Sequence, residues 1–178
     1  TGNTAVGYFA NKLNTTGTNN VSVGREALEA NTTASGNTAV GHQSLKLNTT
    51  GASNTALGQL AMCSNTEGES NTAVGRLTLS KNTTGDFNTA LGYATLRCNI
   101  TGEGNTGLGL CALFTNTGNN NTAVGSSALV ANTSGTANIA VGKSALTSNT
   151  TASYNTAVGF NSLKTNITGA GNTGLGYR

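Results

Sequence analysis

The sequence predicts an all-β chain wound as a β-solenoid, a parallel β-roll of about ten 17-residue coils, and three observations predict it. One phrase, seen as Asn37-Thr38-Ala39-Val40-Gly41, returns at a fixed spacing along the whole chain. Thr, Val, Asn and Gly crowd every unit, and a Gly-containing turn interrupts each short apolar patch, which suits strands and turns rather than helices. The 178 residues include 25 Gly but no Pro, and only 8% are charged, a composition of neither a disordered linker nor an ordinary globular domain.

Units start at Asn3, Asn20, Asn37, Asn54, Asn71, Asn88, Asn105, Asn121, Asn138, Asn155 and Asn172. The period is 17 except after Asn105, where one residue is lost from the Asn-Thr-Thr-Gly turn, a tolerant place for a deletion. Residues 1–178 therefore form one repeat array, expected to be a fragment of a longer fibrous protein because both ends fall within the repeat pattern.

The slots of a unit can be taken in order from its first Asn. Slot two is usually Thr, slot three small and slot four always Val or Leu. In a strand, slots two and four face one way and three and five the other, so the expectation is that Val or Leu fills the coil and the small residues mark a face where another backbone comes close. Slot five is Gly in every unit: Gly7, Gly24, Gly41, Gly58, Gly75, Gly92, Gly109, Gly125, Gly142, Gly159 and Gly176, expected to serve oligomer packing. Slots eight and nine, a small residue beside Leu, should repeat the split in a second strand. Slot twelve is Asn in each full unit, and its amide can ladder onto the amide of the next coil. Coils stacked at about 4.8 Å would make a rod about 50 Å long. One Val and one Leu per coil are a thin core against the entropy of ordering the coil, so sharing a face between chains is expected. The predicted assembly is an intertwined or side-by-side homotrimer.

The Asn-Thr-Ala-Val-Gly units followed by Ala-Leu resemble the head repeats of trimeric autotransporter adhesins, and the form with Asn-Thr-Thr-Gly added is similar to repeats of bacteriophage tail-fibre proteins. The 17-residue unit is longer than the adhesin-head repeat. The resemblance covers the entire chain and implies a trimer of left-handed parallel β-rolls with no active site and no cofactor in the repeats.

Few residues invite chemistry. Cys63, Cys98 and Cys111 lack metal-ligand spacing, and their odd number points to free thiols, which suits a fibre folded in a reducing cytosol. His42 has no recurrent nucleophile beside it. Gly104-Asn105-Thr106-Gly107-Leu108-Gly109 mimics a phosphate loop, but its repeat glycines precede no helix. Sequons at Asn14, Asn31, Asn48, Asn82 and Asn149 follow from the period, and ladders are the favoured reading. Glu69, Asp86 and Glu103 share slot sixteen in consecutive coils, a weak candidate column for a cation. Slot six is the most varied and is expected outside, where Tyr8, Arg25, His42, Arg76, Tyr93, Lys143, Phe160 and Tyr177 could meet a receptor.

Function follows from these readings as an expectation: not an enzyme, but a rod segment of a phage tail fibre or surface adhesin. It would contribute to host-receptor binding on the virion or cell surface. Expected partners are the chain itself, as a homotrimer, and a cell-surface glycan or protein. A net charge of +3 without a basic cluster argues against nucleic acid, and no apolar run is long enough for membrane insertion of this segment. The alternative is an ice- or surface-binding solenoid using Thr files such as Thr38, Thr55, Thr72, Thr89 and Thr106.

Overall fold

A computed structural model describes all residues 1–178 as a β-solenoid without helices. Each unit contributes one three-residue strand at slots two to four, from β1 (Thr4–Val6) through β3 (Thr38–Val40), β4 (Thr55–Leu57) and β7 (Thr106–Leu108) to β11 (Thr173–Leu175). The eleven strands form a single parallel sheet in chain order, with each slot opposite its equivalent, as in Thr38 with Thr55 and Val40 with Leu57.

The expected second strand is absent. Slots six to eleven instead run through two tight turns, closed in the third full coil by Ser44 N–H to Gly41 O at 3.3 Å and Asn48 N–H to Leu45 O at 3.2 Å. Gln43 and Leu45 have φ of 58° and 50°, left-handed values that are costly for a branched side chain such as leucine. Stacking holds them there. Leu45 N–H donates to Ala61 O of the next coil at 3.0 Å, while Gln43 N–H donates to Arg25 O of the previous one at 2.9 Å. Of 112 backbone hydrogen bonds, 20 join strand to strand and the other 92 involve at least one turn or loop residue, so stacked turns bind the coils together along with the sheet.

The interior consists of in-register files. Leu28, Leu45, Met62, Leu79, Leu96, Leu113, Leu129 and Leu146 at slot nine are fully buried, against alanines of slots three and eight. Slots eight and nine therefore both face inward, because the left-handed residue at slot nine breaks strand alternation. Two files of buried asparagine, at slots one and twelve, flank the leucines.

This arrangement inverts the expected faces of the strand. Ala39 and Ala56 are buried, whereas Val40 is only half-buried and Leu57 is 45% exposed. The reason lies at slot one: Asn37 is buried, and strand parity then sends slot three inward and slots two and four outward. The slot-nine leucine already fills the coil, leaving methyl-sized room for slot three.

The glycine file is corrected in the same way. Gly92 has φ of +132°, and a β-carbon built on it would lie 2.6 Å from Gly109 O of the following coil. Slot five is thus small to admit the next coil of the same chain, which accounts for the glycines without an oligomer contact.

Candidate functional site

The slot-one and slot-twelve asparagines are the most elaborate polar feature, and they are directed inward. Asn54 N–H donates to Asn37 Oδ1 at 2.9 Å, and this bond recurs coil after coil to Asn172 N–H on Asn155 Oδ1. In the second file, Asn65 Nδ2 donates to Asn48 Oδ1 and Asn82 Nδ2 to Asn65 Oδ1, both at 2.8 Å. The two files meet on one acceptor: Asn37 Nδ2 and Asn48 Nδ2 reach Gly51 O at 3.0 and 2.9 Å. The shortened unit keeps this geometry, with Asn105 and Asn116 converging on Gly118 O at 2.9 and 2.8 Å. Sequon residues Asn31, Asn48, Asn82 and Asn149 are fully buried in the ladder, leaving a glycan no access in the folded chain.

Slot six brings its predicted residues into one outward column. Arg25 lies over Tyr8 at 6.0 Å, Arg76 over Tyr93 at 5.7 Å, and Lys143 over Phe160 at 6.0 Å. Phe160 and Tyr177 stack with centroids 5.4 Å apart, and Arg178 covers Tyr177 at 5.6 Å. Cations and aromatic faces one coil apart attract through the ring quadrupole, so the column braces itself while staying accessible. His42, half-buried in the same file, is separated from Arg76 by Gln59.

The acidic column serves stacking. Asp86 Oδ1 accepts the Glu69 N–H at 2.7 Å, a role that Asn119 takes for Glu103 N–H at 2.9 Å and Ser35 for Thr18 N–H at 2.9 Å. Glu69, Asp86 and Glu103 do not form a metal-holding cluster, and no group of three or more His, Cys, Asp or Glu is disposed to do so. Cys63, Cys98 and Cys111 are unpaired and half-buried. Burial pushes the Cys63 thiol pKa up, disfavouring the thiolate, and its Sγ donates to Ser80 O at 3.3 Å.

One ionic cluster went unnoticed in the sequence. Glu26, nearly buried at slot seven, accepts Lys46 Nζ and Gln43 Nε2 at 2.7 Å each and Arg25 Nε at 2.9 Å. The Lys46 hydrogen bond, then that of Gln43, lowers the Glu26 carboxyl pKa to about 2, and Lys46 is raised in return. The signal was available, since Gln43 is one period beyond Glu26 and Lys46 three residues further.

The outward sheet face carries the aliphatic slot-four residues beside the slot-two threonines. Leu57, Leu91 and Leu108 expose 45%, 44% and 40% of their surface. The one recess in the molecule, about 500 Å³, is bounded by Asn161, Leu163, Lys164, Thr165 and Arg178, a lining with two cationic side chains and no acidic one. No helix is long and apolar enough to cross a membrane. No family model matches the chain, and no curated protein or solved structure matches it either.

Proposed function

We propose that the chain is a structural rod: a segment of a homotrimeric fibre of the phage tail-fibre or surface-adhesin kind, working outside the cell on a virion or cell surface. The observation that carries this reading is the commitment of the interior to repetition. Both asparagine files and the leucine file run through the stack with the same partners in each coil, surviving even the one-residue deletion. Such a quasi-one-dimensional stack resists bending and sets a fixed distance between whatever lies at its two ends. The repeat's resemblance to adhesin heads and tail fibres supports a trimer and a role in host attachment. In that role the slot-six column, with Tyr8, Arg25, Tyr93 and Lys143, offers aromatic and cationic contacts to a glycan or protein receptor, multiplied by the number of chains. Negative-stain electron microscopy with a solution mass measurement tests it. Straight particles about 50 Å long with three times the 17.7 kDa chain mass are expected, and a flexible or stably monomeric particle overturns the reading.

A second reading is favoured by the in-register threonines of the sheet face, such as Thr55, Thr72 and Thr89, all exposed on one flat surface. An ordered file of hydroxyls beside aliphatic groups suits binding to a crystalline surface such as ice. Thermal hysteresis in purified protein is its test.

A further inference from the structure

Building on the proposed assembly of identical chains, we infer that the copies meet through the outward sheet face, each turning its threonine and Val/Leu files toward a common axis and packing them against those of the neighbouring copies. Sequence alone assigned this contact to the small residues. The structure turns those inward or against the next coil of the same chain, and leaves the aliphatic file outside.

Three properties of the face point to a second copy as its occupant. It is uncharged: in all eleven strands the two outward positions hold only Thr, Val, Leu or Ile. The lysines, arginines and carboxylates are confined to other slots, so the face neither attracts a charged partner nor repels a copy of itself. It is extended: eleven strands about 4.8 Å apart and about 10 Å long give a flat strip of about 500 Å² before side-chain relief and the flanking slots are added. About half of that strip is aliphatic, and with the flanking slots the whole approaches the roughly 800 Å² per partner of a standard interface. It is also periodic. Ridges of Val or Leu repeat at the strand spacing along the whole rod, and the surface certain to share that spacing is another copy. Each coil then adds contact, while the entropy of association is lost once.

The test uses the whole chain. Sedimentation velocity at micromolar concentration is expected to give a multiple of the 17.7 kDa mass. The triple variant Val74→Lys, Leu91→Lys, Leu108→Lys should weaken association by more than about a hundredfold, since it places charges in an apolar contact. Lysines at the exposed turn threonines Thr50, Thr84 and Thr151 should leave it unchanged. Should the sheet-face variant fail to fold, cysteine cross-linking decides. With Cys63, Cys98 and Cys111 replaced by Ser, Leu91→Cys near the middle of the rod should form a covalent dimer on mild oxidation, whether copies lie parallel or antiparallel, and Thr84→Cys should not. A monomeric wild type overturns both the assembly and this face. An oligomer that survives the folded triple-lysine variant, or that cross-links through residue 84 and not 91, overturns the face alone.

Discussion

Asn65 Nδ2 donates to Asn48 Oδ1 at 2.8 Å, joining two fully buried side chains one coil apart. Asn65 also donates to Gly68 O at 2.9 Å and accepts from Asn82 at 2.8 Å, so it is the middle rung of a continuous ladder. Asn65→Ala leaves Asn48 Oδ1 without its Asn65 donor and opens a cavity, while Asn82 keeps Gly85 O at 2.9 Å. A loss of about 2–4 kcal/mol is expected in urea unfolding. A change below about 0.5 kcal/mol would mean that the ladder contributes little.

Gly92→Val is expected to disrupt the coil itself, not only assembly. At φ of +132° a valine is strained, and its β-carbon meets the Gly109 carbonyl oxygen at 2.6 Å and its carbon at 2.9 Å, backbone atoms that cannot swing away. The cost should exceed about 3 kcal/mol, seen as a collapse of far-UV circular dichroism or a steep fall in melting temperature. Unaltered thermal unfolding together with loss of the oligomer would restore the glycine file to an intermolecular role.

The period, the solenoid and the slot-nine leucine core were legible because repetition exposes them directly: a residue such as Leu45 recurs beside a small residue in most coils, with Met62 in its place in one. The slot-six alignment was legible for the same reason, as Arg76 and Tyr93 differ by one period. Strand parity was not. Ranking by hydrophobicity puts Val40 inside and Ala39 outside, but parity is set by Asn37, whose amide is more costly to leave unpaired than Val40 is to leave half-exposed. The second strand failed for a related reason. Leucine has no left-handed preference of its own, and Leu45 adopts φ of 50° only because neighbouring coils supply its hydrogen bonds.

A large residue in coil six is coupled to a missing side chain in coil seven. Thr95 stands where several coils have Ala, and opposite it slot three is Gly107. A β-carbon at Gly107 would lie 2.6 Å from Thr95 Cγ2 and 3.5 Å from Leu96 Cδ1. Gly107→Ala should therefore cost about 1–3 kcal/mol by overpacking, although alanine is the usual slot-three residue. Thr95→Ala in the same chain should recover most of that loss, despite removing the 2.6 Å bond from Thr95 Oγ1 to Gly109 O. Additive unfolding free energies in the double-mutant cycle would show that the two sites are independent.

Glu26 gives acid stability a specific origin. Its carboxyl pKa is held at about 2 instead of 4.5, first by the hydrogen bond from Lys46 and then by that from Gln43. The folded pKa lies below the unfolded one, so the contribution is complete above about pH 4.5 and is lost as pH falls through the window toward 2. In Glu26→Gln the cluster has no carboxylate to protonate, and its stability should decline less steeply across that window than the wild type's, while the two profiles run parallel at higher pH. Lys46→Met should also flatten the acid decline, because losing the dominant partner brings the folded pKa back toward 4.5. Urea midpoints measured from pH 6 down to 2 decide the matter. Identical slopes for wild type and both variants would mean that acid unfolding begins elsewhere than at this cluster.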